Sequence, residues 1–550
     1  MVGRPPAESV HVSYQLRVAA GRDEILGWRL GIPATVFPKI TFAEAIVKSD
    51  ALGLAYIEGF DTQSVSPEIS KNLDYNLSAD EITAVKNKLR SVTLRMPVYH
   101  IDSMPADETS RRKVLTFTKG LGAETIVANP DPASLGELDR LATEIGVNLA
   151  IETRKDPKGT IGALEGRSKR IGVSADVDAW MQQGIKPLDG LAVIKDRLML
   201  VNLRDRSALG LSGAGVADLP GFFREIYRLQ LKPVFFSVEA TGAGDPAASL
   251  ARSIEGFEKA AQPIMADRVG QISRNSPIWT PEKLPGDVKD KIASALPKQA
   301  LVAPKKHRKL LIMDLCVADL KHSTIPHANY ALEMMGKNTG AYEAVFSNDL
   351  DNLKYAKIRQ YDAVFFNNIL GQIFFDEDVK NGLLRFVREG GGVAALHGVT
   401  WAGRGWPEFA EMLGAASGPH RVEKGTLKVD DPASPINRGF TTKNFDYTDE
   451  LYLYYMDGPY SRNKVHVLFS IDTEKTDLSR GPYLRPDNDY GLSWIKNYGK
   501  GRVFNTGLGH TPTLFMTPAL ATHILGAIQF VLGDLEADTT PTGELEARKK

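Results

Sequence analysis

Four short apolar runs end on an oxygen-bearing side chain: NLAIE (148–152) on Glu152, RIGVSAD (170–176) on Asp176, LMLVN (198–202) on Asn202 and PVFFSVE (233–239) on Glu239. The intervals between these ends are those of successive strand-helix units. If the strands are parallel and closed into a barrel, all four side chains meet at its carboxyl end, where such barrels do their chemistry. Three carboxylates and an amide at one point repel unless a divalent cation sits among them, and oxygen donors suit Mg, Mn or Zn.

Working outward, strand-like and helical runs alternate from Trp28 to about Asp267. The eight strand candidates are WRLGIPATVF, LGLAYIE, VTLRMPVYHI, ETIVAN, VNLAIET, RIGVSAD, LMLVNLRD and KPVFFSVEA. Thr41 with Glu44 and Ser78 with Glu81 have capping-box spacing, and Ile82, Val85 and Leu89 recur on one helical face. The expected fold class is therefore α/β: an N-terminal (β/α)8 TIM barrel over 1–277, with an open doubly wound sheet as its competitor. A Pro- and Lys-rich stretch follows, read as a linker over 278–308, with Lys305, Lys306, His307 and Arg308 at its solvated end. A second alternation (KLLIMDLC, YEAVFS, YDAVFFNN, KNGLLRFVREG, GGVAALHG) predicts a smaller open α/β domain over 309–536, and the charged residues 537–550 read as a disordered tail.

Lys plus Arg and Asp plus Glu both number 67 in 550 residues, so no global field recruits nucleic acid or an anionic membrane surface. The single cysteine, Cys316, excludes an intrachain disulfide and a Cys-rich zinc site, and its apolar context predicts a buried, inert thiol. No run approaches a membrane span of roughly 20 apolar residues. A soluble protein is expected, cytoplasmic, or periplasmic if an export signal has been removed; a homo-oligomer is compatible with the sequence.

The run FAEAIVKSDALGLAYIEGF (42–60) and the four strand ends resemble the xylose-isomerase-like barrel superfamily of sugar isomerases, epimerases and related lyases. The resemblance implies a metal held by Glu152, Asp176, Asn202 and Glu239, with Mn or Mg favoured over Zn because Asn202 stands where a ligand His is usual. Ala179 likewise stands where an Asp-x-x-His motif has its His. Glu152 and Glu239 are the acid/base candidates. His100 and Glu58, at the ends of their strands, are expected to face the same cavity, His100 as a proton relay and Glu58 toward substrate hydroxyls. Trp180 is a candidate for stacking on a sugar, and Arg204 for binding it. Arg154, Arg204 and Arg206 also offer ordinary salt-bridge partners to the same carboxylates.

Residues of about 309 to 532 resemble the ThuA-like (trehalose-utilisation) family, which is similar in fold to class I glutamine amidotransferases. The resemblance rests on the polar stretch with His322 and His327, GGGVAALHG, Gly418-Pro419-His420, Asp449-Glu450, and GRVFNTGLGH. It implies an open α/β sandwich of flavodoxin-like or amidotransferase-like type. At the turn where an amidotransferase presents its nucleophilic Cys, this chain has His397, which excludes glutamine hydrolysis by that route. Eight of the ten histidines lie from His307 onward. His322, His327, His397, His420 and His510, with Glu450, are expected to line a polar pocket that binds a second metal, supplies acid/base groups or holds a sugar, with Trp401, Trp406 and Trp494 as apolar walls.

Together these readings predict a metal-dependent carbohydrate enzyme that abstracts a proton alpha to a sugar carbonyl, as an isomerase, an epimerase, or a keto-glycoside lyase or hydratase. The partner is a small-molecule sugar or keto-glycoside. The alternatives are a noncatalytic sugar-binding or assembly protein with a degenerate metal site, and an enzyme whose catalysis lies in the His-rich domain alone.

Overall fold

The computed structural model describes residues 23–92, 94–205, 218–240, 245–317, 322–403, 406–416, 418, 420–454, 456, 458–478 and 485–548; Arg206 and Pro419 lie outside them. The chain divides into two compact units, with the boundary between Met265 and Ala266.

In the first unit, eight strands close into a parallel barrel in sequence order: β1 Trp28–Pro33, β2 Tyr56–Phe60, β3 Arg95–His100, β4 Thr125–Val127, β5 Asn148–Thr153, β6 Ile171–Asp176, β7 Leu198–Asp205 and β8 Val234–Ala240. Every expected strand is present, and closure through β1 and β8 rules out the open sheet. Both capping boxes form: Thr41 and Ser78 each accept from the backbone N–H three residues on, while Glu44 and Glu81 reach back to the cap. Each satisfies two donors that a helix start otherwise leaves open.

Strand periodicity places the site. Tyr56, Val98, Val127, Ala150, Leu200 and Phe235 pack as one apolar cluster. Side chains two residues on point the same way, so Glu58, His100, Asn129, Glu152, Asn202 and Ser237 form the next layer toward the carboxyl end, with Arg154, Arg204 and Glu239 beyond it.

The second unit is built on a nine-stranded sheet of order β10-β9-β11-β12-β17-β16-β15-β13-β14. Its strands are β9 Lys309–Met313, β10 Glu343–Phe346, β11 Ala363–Asn367, β12 Gly392–Leu396, β13 His420–Val429, β14 Asn444–Tyr452, β15 His466–Ile471, β16 Gly491–Tyr498 and β17 Gly501–Thr506. The block β10-β9-β11-β12-β17 is parallel and the remainder antiparallel. The fold class is thus the expected one, a barrel followed by an α/β sheet domain.

Two boundaries differ from expectation. The stretch read as a linker carries a helix, Gly286–Ala295, and places Trp279, Leu284, Ile292 and Leu296 in the core of the second unit. Of its basic end, Lys305, Lys306 and His307 are exposed as expected, whereas Arg308 is drawn in, bridging Asp362 (3.0 Å) and Asp534 (2.6 Å). The tail read as disordered is docked through its described residues: a helix spans Thr542–Ala547, Thr542 N–H donates to the Val465 carbonyl, and His466 Nδ1 donates to the Thr540 carbonyl. A few apolar and hydrogen-bonding residues fix these segments despite their polar composition. Among the described residues, no helix is long and apolar enough to cross a membrane.

Candidate functional site

At the barrel mouth the strand register sets Asp176 beside Asn202, Asn202 beside Ser237 and Arg204 beside Glu239. The four expected metal ligands therefore share one end of the barrel. Two guanidiniums lie among them. Arg154 holds Glu152 in a forked pair (3.0 and 2.8 Å) and reaches to 3.8 Å from Asp176. Arg204 lies 3.5 Å from Asp176 and 3.3 Å from Glu239. Glu152 also accepts from Asn129 Nδ2, and Asp176 Oδ1 caps the following helix through Ala179 N–H. Asn202 Nδ2 donates to Ser174 Oγ. The order along the mouth is Glu152, Arg154, Asp176, Arg204, Glu239, with the charges alternating. These residues do not fit a shared divalent ion, because cations already stand between the carboxylates and both oxygens of Glu152 are engaged.

Other barrel expectations fare differently. His100 Nε2 does meet Glu58, and Phe60 stacks on the His100 ring at 4.4 Å. Burial raises the Glu239 carboxyl above its usual range, with Arg204 opposing and the negative charges of Glu58 and Asp176 reinforcing it. Arg204 is kept charged against its own burial by Glu239, Asp176 and Glu152. Trp180 is fully buried in the helix after β6, and a Cβ on Gly190 would come within 2.5 Å of its ring. It packs helix on helix and cannot stack on a sugar.

The second unit assembles a tighter constellation. His322, His397, Glu450 and His510 each offer one ligand atom, all within 4.8 Å of one another; among the described residues, this is where three or more potential metal-binding side chains converge. His397 follows β12 in a left-handed conformation (φ +53°) that aims its ring inward, as expected for a sharp strand-to-helix turn. Its backbone N–H donates to the Thr506 carbonyl at 2.7 Å, and Nδ1 donates to the Gly507 carbonyl at 2.7 Å. That bond fixes the tautomer, so Nε2 is the free atom; it faces Glu450 at 3.1 Å and the Tyr452 hydroxyl at 3.4 Å. His510 Nδ1 lies 3.1 Å from the same Glu450 oxygen. Separations of roughly 3 Å are those of atoms sharing one ion at about 2.1 Å.

Residues outside the expected set hold this arrangement. Asp449, fully buried, accepts from the backbone N–H of Gly509 (2.7 Å), Thr511 (3.0 Å) and Glu450 (2.9 Å), and so orients the His510 loop. Gly398 leaves room for His322: an added Cβ would stand 3.0 Å from His322 Cε1. Burial, reinforced by His397 and His510, lowers His322 to about 3, so its ring is neutral and available as a ligand. His420 borders the cluster: Nδ1 donates to the Gly418 carbonyl at 2.8 Å, and Nε2 lies 3.9 Å from Glu450.

His327 is not part of the cluster; it lies on the helix Ile325–Thr339 with Nδ1 on the Ser323 carbonyl. Trp406 and Trp494 are core residues, the first stacked on Phe409 and the second donating to the Leu413 carbonyl, so they do not wall the pocket. A cavity of about 660 Å³ lies against His322, lined also by Arg268, Gln271, Asp314, Cys316 and Asn329. Cys316 is thus partly exposed on a cavity wall rather than buried as expected. From that wall a run of amides leads back to the turn: Asn329 donates to Asp314 (2.5 Å), Asn367 to Asn329 (2.8 Å) and Asn368 to Asn367 (3.2 Å), while Gly398 N–H reaches Asn368 at 3.5 Å.

The turn at His397, the pair Asp449-Glu450 and the segment ending at His510 are among the features on which the family resemblance rested. Residues 310–531 match the ThuA family, described as trehalose utilisation. The match leaves the barrel and the helix bearing Arg268 and Gln271 outside it, so that face of the cavity belongs to this chain's own surroundings of the ThuA domain. No curated protein matches the chain. Among solved structures, the chain is similar to an uncharacterised protein of Parabacteroides distasonis (24% identity over 42% of this chain and 99% of that one, TM-score 0.38). It is also similar to a D-tagatose 3-epimerase-like protein (12%, 44% and 99%, TM-score 0.35) and to the 3-keto-D-glucoside 4-epimerase of Escherichia coli (14%, 42% and 99%, TM-score 0.34).

Proposed function

We propose that this protein is a carbohydrate enzyme whose metal-assisted step takes place in the ThuA domain, on a sugar or keto-glycoside lying in the cavity beside His322. The observation that carries the reading is the convergence of His322, His397, Glu450 and His510 with the His397 tautomer locked by the Gly507 carbonyl. The carbohydrate assignment draws on the description of the matched family. Three imidazoles and a carboxylate suit a borderline ion, Zn or Mn, better than Mg. When bound, such an ion polarises a carbonyl oxygen and acidifies the neighbouring C–H.

The chain's own groups do the rest. His420 carries its proton on Nδ1, which leaves Nε2 as the base beside Glu450. The Tyr452 hydroxyl, buried against the His397 and His420 rings, can hold a substrate oxygen. The Asp314 carboxylate offers an acceptor to sugar hydroxyls along the cavity wall. Return of the proton to either face, or loss of a leaving group, gives an epimer, an isomer or an elimination product from the same first step.

The test is incubation of the full chain with free sugars and 3-keto-glycosides in deuterated water, with Zn, with Mn and with a chelator. Deuterium at carbon that depends on the metal and is lost in His420→Gln is the expected result. Exchange that survives both His397→Ala and chelation would place the chemistry elsewhere.

A further inference from the structure

The barrel mouth gathers a different set of charged side chains from the ThuA-domain cluster. We propose that Arg154 and Arg204 occupy the place a divalent cation would need among Glu152, Asp176 and Glu239, and that this mouth binds an uncharged polyhydroxylated ligand without metal. Charge and geometry support this. Each guanidinium bridges two of the carboxylates, so the spaces between them are occupied by a half-exposed cation just after β5, Arg154, and a more buried one on β7, Arg204. Removing an ion pair's cation here would leave buried carboxylates unpaired, at a cost far above what a surface pair contributes. An ion that displaced Arg204, the more buried of the two, would leave its guanidinium uncompensated.

The ligand class follows from the same array. Among the described residues, three carboxylates face two guanidiniums, and Glu58 beneath them is paired with His100, so the described mouth has no surplus of cations. A phosphorylated or carboxylated ligand finds no unpaired cation among them. Alternating acceptors and donors instead match vicinal hydroxyls, each of which gives one hydrogen bond to a carboxylate and takes one from a guanidinium. Asp176 Oδ2, Glu58 Oε1 and Ser237 Oγ are buried and make no hydrogen bond within the chain, so the mouth holds polar atoms for such a ligand to satisfy. His100 and Glu239 stand at the same mouth as groups able to carry a proton.

Two measurements on the full chain test the proposal. In a His397→Ala, His510→Ala background, which removes two of the four ThuA-domain ligands, protein equilibrated with Mn or Zn and desalted should retain no ion. Retention of an ion that Glu239→Gln or Asp176→Asn abolishes would overturn it. In the same background with chelator present, saturation transfer from protein to xylitol is expected, and is expected to vanish in Arg204→Met; no transfer should reach ribose 5-phosphate. Xylitol that binds only with added metal, fails to bind, or binds no better than the phosphate would sink the idea. Circular dichroism of Arg204→Met and Arg154→Met shows that the barrel is intact, and either variant serves if the other fails to fold. These outcomes are separable from those of the ThuA-domain reading, because two of its four ligands are absent from the tested protein.

Discussion

The Gly507 carbonyl lies 2.7 Å from His397 Nδ1, and this one hydrogen bond decides which ring nitrogen faces Glu450. It links the turn after β12 to the residue following β17, two strands that are neighbours in the sheet but more than a hundred positions apart in sequence. Replacing His397 by Ala should abolish tight metal binding, whereas Asp449→Asn, which touches no ligand atom directly, should weaken it by about 10- to 100-fold. Asn supplies one acceptor where Asp449 now serves three backbone donors. Calorimetric titration with Zn and Mn separates the two; equal affinity in Asp449→Asn and the parent would contradict its positioning role.

Gly398 offers a cleaner perturbation. Its backbone is ordinary (φ −55°), so Ala is conformationally allowed and should change stability by no more than about 1 kcal/mol. The added methyl would press on His322 at 3.0 Å. The expected outcome is a protein with unchanged melting behaviour that binds metal weakly, seen by comparing chelator competition with thermal denaturation.

In the barrel, Trp180→Ala should behave as a core deletion. A fully buried Trp removed without compensation costs about 3–5 kcal/mol. Urea unfolding should register that loss. A specific loss of xylitol binding with unaltered stability would instead restore a stacking role.

The docked tail has a pH signature. His466 is raised above 6.5: burial opposes its charge, but the Asp431 carboxylate at 3.0 Å and the Thr540 carbonyl outweigh it. Asp431 is lowered below 3.8, chiefly by the same hydrogen bond. The stabilisation from His466 is complete below 6.5 and is lost as pH rises through its folded value; that from Asp431 is complete above 3.8 and is lost as pH falls through its folded value. The pair therefore contributes most between those limits. His466→Gln should destabilise the protein most near about pH 5 and progressively less on the alkaline side. A stability difference that does not vary with pH, followed by denaturant unfolding, would count against a charged pair.

The sequence by itself determined the barrel. Period-two runs separated by capped helices specify strand-helix units, and eight such units of that length close, which brings Glu58, His100, Glu152, Asp176, Asn202 and Glu239 to one end. It also located the turn at His397 and the acidic pair at Asp449 and Glu450. What it could not decide was where the charges balance. Arg154 and Arg204 lie two residues beyond Glu152 and Asn202, on the same strand face, and whether such a cation turns toward the carboxylates or toward solvent depends on neighbours from other strands. The metal cluster was undecidable for the same reason: its four ligands come from positions 322, 397, 450 and 510, and no spacing along the chain encodes their convergence within 4.8 Å. Local pattern fixes which face a side chain is on; only the packed structure sets which charges meet there, because electrostatic energy depends on distance in space and on burial, not on separation in sequence.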